Sequence, residues 1–313
     1  MKKTAGIHHI SAIVGHPQEN VDFYAGILGL RLVKKTINFD DPGTYHLYFG
    51  NERGKPGTII TFFPWINAQR GKIGGGQVGV TTYAIPPNKL SYWEQRLAKL
   101  GVSYQKTNRF GETYLQFNDP HGLQLELVEH EQGEQNQWTF GDVTPDVAIK
   151  GFAGAVFFST SPDRTIETLQ NVMGLQQVAE EEDMVRLQSY GEIGNVMDVK
   201  KIPVERGRMG VGTVHHIAWR AKDEEDQLHW QSYISEQGFG VTPVRDRSYF
   251  QAIYFREHGE ILFEVATDPP GFMHDEPYES LGSQLKLPSQ YEQYRSKLEE
   301  ALIPIHVRSL DKS

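Results

Sequence analysis

Two kinds of apolar spacing alternate along this chain, and the alternation occurs four times. Short runs of β-branched and aromatic residues bounded by turn residues predict strands. Between them lie longer segments whose apolar residues fall three or four positions apart, which is typical of an amphipathic helix. Leu90, Trp93 and Leu97 show the helical spacing most clearly. Each copy therefore has the order strand, helix, glycine-containing junction and further strands.

The four copies are similar in length, which indicates internal duplication. Their predicted first strands are Ile7–Val14, Gln77–Ile85, Phe152–Thr160 and Gly212–Arg220. The predicted helices that follow them are Gln18–Leu28, Lys89–Leu100, Asp163–Val172 and Glu225–Gln237. The starts of the copies are about 60 to 75 residues apart, and this regular recurrence of one unit agrees with internal duplication. Each copy is a βαβββ module, and two modules side by side form a curved sheet around a pocket.

The pattern predicts an α+β fold of four βαβββ modules paired into two domains. Each domain is expected to be a curved mixed β-sheet around a pocket, with helices outside. Residues 1–140 are expected to hold two modules, and residues 150–313 two more with a C-terminal helical tail at Ser289–Leu302. The polar, turn-rich segment Glu129–Ile149 is interpreted as the linker. A length of 313 residues agrees with about two domains.

Composition and charge narrow the function classes. A net charge of -9 argues against nucleic acid and against an anionic membrane surface as partners, since both need a basic face. No apolar stretch approaches the roughly 18 residues of a membrane span. The chain begins without the apolar segment of a signal peptide, so we expect a cytoplasmic protein. Because there is no cysteine, any metal must be held by imidazole and carboxylate groups.

The dipeptide His-His occurs twice, as His8-His9 and His215-His216, each time in the first strand of a module. A lone buried histidine is more often a structural hydrogen-bonding residue than a ligand. Recurrence of the pair in equivalent strands favours a functional role. Neighbouring side chains of a strand point to opposite faces, so one histidine of each pair is expected to face the pocket. The spacing does not decide which one.

Two late strands offer a carboxylate to complete a metal site. Glu264 lies among apolar residues in Ile261–Val265, where a buried charge is costly unless it is paired or binds metal. Glu126 has the same place in the second module, whose first strand lacks histidine. Glu264 shares its module with a His-His pair, so it is favoured as the ligand. Two histidines and one carboxylate form a facial Fe(II) site with open positions for substrate and O2.

Three further polar residues could line the pocket or could have only a structural place at the surface or in the core. Arg247 lies in a turn before the strand that precedes Glu264, and a surface arginine is the simpler interpretation. The strand Tyr45–Phe49 carries His46 and Tyr48, which could line a pocket or belong to the core. The chain shows no convincing nucleophile elbow and no dinucleotide-binding fingerprint.

Several stretches match a known family. They are Ile7–Ile10, Leu30–Thr36, Tyr45–Asn51, Val214–His216, Leu262–Glu264 and Gly271–Glu276. Together they resemble the vicinal oxygen chelate superfamily, which holds glyoxalases, fosfomycin-resistance enzymes and type I extradiol dioxygenases. Within it, the chain is most similar to the hydroquinone ring-cleaving dioxygenases. The resemblance spans nearly the whole chain.

The resemblance implies roles for particular residues. By it, His9, His216 and Glu264 bind Fe(II), and His215 and Arg247 assist catalysis near the metal. The family threonine two residues after the first metal histidine is Ser11 here, and the family's active-site tyrosine matches Tyr254. The metal ligands then come from the first and fourth modules, so the two predicted domains are expected to share one site.

The function implied is that of a non-haem Fe(II) dioxygenase that inserts O2 into a hydroquinone-like or catechol-like ring, in detoxification of quinones. The partners expected are a small aromatic substrate and O2, with a second copy of the chain possible. Imidazole and carboxylate also suit other divalent metals. Two alternatives stay open. One is a glyoxalase-like metal-dependent lyase or isomerase, whose sites usually have four protein ligands. The other is a non-enzymatic binder of an aromatic compound.

Overall fold

A computed structural model describes residues 2–311, and each module has the βαβββ order that the sequence predicts. The strands of the first two modules are β1 (Ile7–Val14), β2 (Arg31–Ile37), β3 (Tyr45–Gly50), β4 (Ile59–Pro64), β5 (Gln77–Ile85), β6 (Tyr104–Arg109), β7 (Glu112–Asn118) and β8 (Gln124–Glu129). Those of the last two are β9 (Gly151–Phe158), β10 (Gln176–Glu180), β11 (Met184–Gln188), β12 (Val196–Lys200), β13 (Thr213–Ala221), β14 (Arg245–Asp246), β15 (Phe250–Arg256) and β16 (Leu262–Pro270).

The helices follow the first strand of each module, as predicted. They are α1 (Pro17–Val21), which continues as a wider π-type turn over Asp22–Ile27, α2 (Leu90–Lys99), α3 (Pro162–Asn171) and α4 (Glu224–Glu236). The C-terminal tail holds short 3-10 turns at Phe272–His274, Tyr278–Ser280 and Ser289–Tyr294, followed by α5 (Arg295–Ala301). Within the described part of the chain, no helix combines the length and apolar character needed to cross a bilayer.

Two mixed eight-stranded sheets form the architecture, which confirms the predicted fold class. The first has the order β14-β15-β16-β13-β1-β4-β3-β2, and the second has the order β10-β11-β12-β9-β5-β8-β7-β6. The central contact of each sheet joins two first strands in antiparallel pairing: β1 with β13, and β5 with β9.

The pairing of modules differs from the expected one. The first module shares a sheet with the fourth, and the second shares a sheet with the third, across the predicted boundary between residues 140 and 150. Repeat periodicity identifies each module but contains no information about its partner. The intervening segment returns the chain beside β5, where β9 begins, and buries Val143, Val147 and Ile149 rather than forming a loose polar linker. The division of the chain at 140–150 itself stays a prediction.

Three of the sixteen strands in the described residues have no sequence pattern that located them, and all three lie at sheet edges. β6 and β10 are the outer strands of the second sheet, and β14 is an outer strand of the first. Most residues of β6 and β10 are polar and at least partly exposed, so they lack the apolar alternation that marks a half-buried strand. Edge strands with charged side chains also resist pairing with other chains.

The concave face of the first sheet positions the candidate site. Alternate residues of β1, including His9 and Ser11, point to this face, while Ile10 and Ala12 pack into the main core beneath the helices. A separate apolar cluster that includes Tyr249, Phe250 and Phe272 closes part of the concave side. The site is therefore enclosed by one sheet and by segments that follow β14 and β16.

Candidate metal centre

A β-bulge brings both histidines of each pair to the same face. Register shifts in the β1–β13 pairing leave His8 and His215 as extra residues. Nδ1 of His8 lies 2.9 Å from Nδ1 of His9, and Nδ1 of His215 lies 2.8 Å from Nδ1 of His216. Side chains of adjacent residues in a regular strand diverge and could not make these contacts. The expectation that the two members of each pair point to opposite faces is therefore wrong.

Three buried side chains converge at the centre of this face. Nε2 of His9 and Nε2 of His216 are 3.3 Å apart, and they lie 3.5 Å and 2.8 Å from Oε2 of Glu264. One ligand atom from each of the three residues lies within 4.8 Å of the others, the spacing of a group able to hold a metal ion. The structure thus brings together the three residues that the sequence marked as candidate metal ligands.

The chemistry of this trio fits a cation. Glu264 is fully buried, and neither of its oxygens receives a hydrogen bond of acceptable geometry. Burial alone would raise the pKa of Glu264, but His9 and His216 hold that pKa well below its ordinary value. Burial also lowers the pKa of His216, with Glu264 opposing it. A buried carboxylate facing two imidazoles is an arrangement that a divalent cation completes.

The outer histidine of the first pair fixes the tautomer of the inner one. His8 donates through Nε2 to the carbonyl oxygen of Thr267 at 3.1 Å when its Nδ1 accepts from Nδ1–H of His9. That arrangement leaves Nε2 of His9 unprotonated and directed at the centre. In the second pair no carbonyl oxygen of the described residues sets the direction: when Nε2 of His216 faces a cation, Nδ1–H of His216 donates to Nδ1 of His215. Partners of this kind orient ligand histidines in metal sites and raise their basicity.

Replacing the outer histidine of the first pair should weaken metal binding without removing a ligand. We expect His8→Phe to lower the affinity for a divalent metal ion by about 10-fold to 100-fold, because His9 loses its hydrogen-bond partner. Equilibrium titration under anaerobic conditions measures this affinity. The exposed His229 supplies the control, since His229→Ala should leave the affinity unchanged. Unchanged affinity in His8→Phe would contradict the orienting role.

A cavity of about 430 Å³ opens beside the three residues. Its apolar wall includes Phe39, Phe63, Trp65, Phe250 and Leu262. The predicted site residues that line it are His9, Ser11, His46, His215, His216, Arg247, Tyr254 and Glu264. A volume of this size suits a small aromatic molecule.

Arg247 and Tyr254 form one side of the cavity. Nε of Arg247 donates to the Tyr254 hydroxyl at 3.3 Å, and its Nη1 lies 3.5 Å from Oδ2 of Asp40. Arg247 is 18% exposed, so the simple surface interpretation does not describe it. Burial and the nearby Glu264 raise the pKa of Tyr254 well above its usual range, which keeps the phenol protonated.

Tyr48 is the predicted pocket residue that does not line the cavity. It lies behind His46, fully buried, and its hydroxyl is 2.8 Å from Nδ1 of His46. Nε2 of His46 is 2.9 Å from Oγ1 of Thr61, which in turn is 2.7 Å from Oγ of Ser11. Thr61 was not among the predicted site residues. The signal available was a polar residue at the centre of the apolar run Ile59–Phe63.

The corresponding face of the second sheet carries arginine–carboxylate pairs instead of paired histidines. Glu126 forms a bidentate pair with Arg109, with N–O distances of 3.0 Å and 2.7 Å. Asp198 accepts from both Arg109 and Arg186. Glu126 and Asp198 are therefore each neutralised by a guanidinium, and Glu126 is a hydrogen-bonded structural carboxylate.

The fold and this constellation agree with comparison to known proteins. Residues 6–127 and 151–273 match the Glyoxalase/Bleomycin resistance protein/Dioxygenase superfamily. The chain belongs to this superfamily. Within the superfamily it is an enzyme of the ring-cleaving dioxygenase group. The resemblance seen in the sequence is confirmed.

Individual relatives cover nearly the whole chain. MhqO of Bacillus subtilis (strain 168), by name a candidate ring-cleaving dioxygenase, is 67% identical over 310 residues, 99% of each chain. The chlorohydroquinone/hydroquinone 1,2-dioxygenase of Sphingobium indicum is 35% identical over 310 residues, 95% of each chain. A crystal structure of a candidate dioxygenase from Bacillus subtilis has a TM-score of 0.98 at 67% identity, covering 99% of this chain and 100% of that one.

More distant structures share the fold. Glyoxalase I from Zea mays has a TM-score of 0.62 at 12% identity, covering 84% of this chain and 92% of that one. This likeness concerns the arrangement of modules and not the reaction.

Proposed function

We propose that this enzyme is an Fe(II)-dependent dioxygenase that cleaves the ring of a hydroquinone-like aromatic compound. The observation that carries the proposal is the buried trio of His9, His216 and Glu264 at the wall of an aromatic-lined cavity. Fe(II) held there would supply open coordination positions for the substrate oxygen and O2 and would pass electrons from ring to O2. The reaction balances without a reductant, because one ring C–C bond breaks and both oxygen atoms enter the product.

His215 is suited to donate a hydrogen bond in this cavity. With His216 binding the metal through Nε2, its Nδ1–H would donate to Nδ1 of His215, so the proton of the neutral His215 ring would lie on Nε2. Nε2 has no protein partner in the part of the chain that the structure describes, and the ring lines the cavity. Burial and His216 lower the pKa of His215 to about 3, so the neutral form prevails near pH 7. We assign it a donor role toward a substrate or product oxygen, rather than that of a resting base.

On another side of the cavity, Arg247 supplies positive charge and Tyr254 supplies a hydroxyl group. The guanidinium is positioned by its contact with Tyr254 and lies where negative charge on a substrate oxygen would be stabilised. The aromatic side chains Phe63, Trp65 and Phe250 provide flat apolar surface for the ring and exclude water around it. These roles together favour a dihydroxybenzene that binds with one hydroxyl ionised.

The glyoxalase-like alternative finds less support in the donor set. Among residues 2–311, the group able to hold a metal consists of three ligands rather than four. Glu126, the rival carboxylate, is already paired with Arg109. The relatives named for ring cleavage and for hydroquinone are 67% and 35% identical to this chain, whereas glyoxalase I from Zea mays is 12% identical. Removal of toxic quinones, action in the cytoplasm and association into homo-oligomers stay predictions.

Oxygen consumption tests the proposed activity. We expect protein loaded anaerobically with Fe(II) to take up one O2 per methylhydroquinone and to yield a ring-opened product, with less uptake for catechol. His9→Ala and Glu264→Ala should be inactive, because each removes a ligand. Absence of uptake with every dihydroxybenzene, despite one bound Fe(II) per chain, would exclude this substrate class and favour the lyase. Tight hydroquinone binding without turnover would favour the binder.

A further inference from the structure

A chain of four hydroxyl and imidazole groups runs from the buried interior to the cavity. It begins at Tyr48, passes through His46 and Thr61, and ends at Ser11, with successive distances of 2.8 Å, 2.9 Å and 2.7 Å. Tyr48 and Thr61 have no exposed surface, while Ser11 and His46 line the cavity. None of these groups belongs to the metal-binding trio.

The buried end fixes the direction of every hydrogen bond in this chain. A buried phenol must donate its proton, and among the described residues its hydroxyl has one partner, Nδ1 of His46. Burial raises the pKa of Tyr48 and lowers that of His46, so the tyrosine stays protonated and the imidazole stays neutral. With Nδ1 accepting, the single proton of His46 lies on Nε2 and is donated to Thr61.

The consequence appears at the last member. Thr61 accepts from His46 and therefore directs its own proton to Oγ of Ser11, which is its other partner. The Ser11 hydroxyl then accepts from Thr61 and keeps its own proton for a group in the cavity. The reverse direction would leave the Tyr48 hydroxyl as a buried donor without an acceptor, at a cost of about 1–3 kcal/mol.

We propose that Tyr48, His46 and Thr61 are positioning residues that present the Ser11 hydroxyl to the cavity as an obligatory hydrogen-bond donor, which selects a substrate with an ionised oxygen. The inference rests on the proposed function for the class of substrate. A phenolate oxygen only accepts hydrogen bonds, so a hydroxyl that is already committed as a donor binds it without reorganisation. Ser11 touches the substrate, and the other three residues act through Ser11.

Binding of a ligand that cannot be turned over tests the proposal. The probe is 4-nitrophenol, titrated anaerobically into Fe(II)-loaded protein, with 4-nitroanisole as the matched ligand that lacks an ionisable oxygen. We expect Ser11→Ala to weaken 4-nitrophenol binding by about tenfold, since a hydrogen bond to a charged oxygen is lost. Tyr48→Phe should weaken it by about threefold, because the direction of the chain is no longer fixed. Binding of 4-nitroanisole should change little in either variant.

A double-mutant cycle separates positioning from general damage to the fold. In the Ser11→Ala background, Tyr48→Phe should have no further effect, because its action passes through the Ser11 hydroxyl. In the Ser11→Thr background, which keeps a hydroxyl, the threefold effect should persist. Equal effects of Tyr48→Phe in all three backgrounds would overturn the proposal, as would equal losses for the phenol and the anisole.

The outcome is distinguishable from that of the proposed function. Turnover of methylhydroquinone together with additive effects in the cycle would leave the dioxygenase assignment intact and overturn the positioning chain. A coupled cycle without turnover of any dihydroxybenzene would do the reverse. Wild-type protein that does not prefer 4-nitrophenol to 4-nitroanisole would also overturn the inference.

Discussion

Glu264→Gln should bind Fe(II) at least about 100-fold more weakly than the wild-type protein and should show no measurable O2 uptake. Loss of a partner outside the coordination sphere already costs 10-fold to 100-fold in affinity, and this change removes the negatively charged ligand itself. The amide has almost the shape of the carboxylate, so packing in the fully buried site is retained. Anaerobic titration and the oxygen electrode measure the two effects.

Thermal unfolding provides an independent readout for the same variant. Fe(II) at 100 times its dissociation constant should stabilise the wild-type protein by about 2.7 kcal/mol and should not stabilise Glu264→Gln at that concentration. Without metal, Glu264→Gln should lose only about 1–3 kcal/mol of stability, because the amide keeps the shape of the carboxylate but weakens its contacts with His9 and His216. A strong loss of stability without metal would indicate that Glu264 has a structural role.

Glu126→Gln should lower the stability of the metal-free protein and leave metal binding and turnover intact, whereas Glu264→Gln should impair both metal binding and turnover. We expect the free energy of unfolding to fall by about 3 kcal/mol, since a buried bidentate pair is broken and Arg109 loses part of its charge compensation. Affinity for Fe(II) and turnover should stay at wild-type values, because the network lies in the other sheet. Chemical denaturation of metal-free protein measures the first effect.

The two carboxylate variants serve as controls for each other. Glu264 and Glu126 occupy matching strands of the fourth and second modules, and both are 2% exposed or less. One faces two imidazoles, whereas the other faces a guanidinium. Loss of metal binding in Glu126→Gln with a normal fold would place the metal in the second sheet and contradict the assignment.

Much of the fold follows from spacing along the chain, and the parts that do not have physical reasons. Each module contains a buried first strand and an amphipathic helix, whose periodicities are visible in sequence. The edge strands β6 and β10 are polar, so no period marks them. The pairing of the first module with the fourth depends on contacts between distant strands, and modules of one shape leave several pairings possible.

The candidate site also combines features that the sequence predicts with features that it does not. The two His-His pairs and Glu264 could be selected because charged or metal-binding side chains are rare in apolar strands. The choice of His9 and His216 within the pairs came from the family resemblance, and the structure brings these three residues together. The orientation of His8 and His215 could not be predicted, since a β-bulge depends on the register between β1 and β13. Thr61 was missed because its partners His46 and Ser11 come from two other strands.

The fate of heavy-isotope O2 tests the central claim most directly. Fe(II)-loaded protein would be given methylhydroquinone under labelled O2, and the product would be analysed by mass spectrometry, with labelled water in a parallel reaction. The proposed dioxygenase predicts a ring-opened product that carries two labelled oxygen atoms from O2, before any exchange of a carbonyl oxygen with water. A product that is the unlabelled quinone, formed with hydrogen peroxide, would contradict ring cleavage and reduce the chain to an oxidase of its substrate.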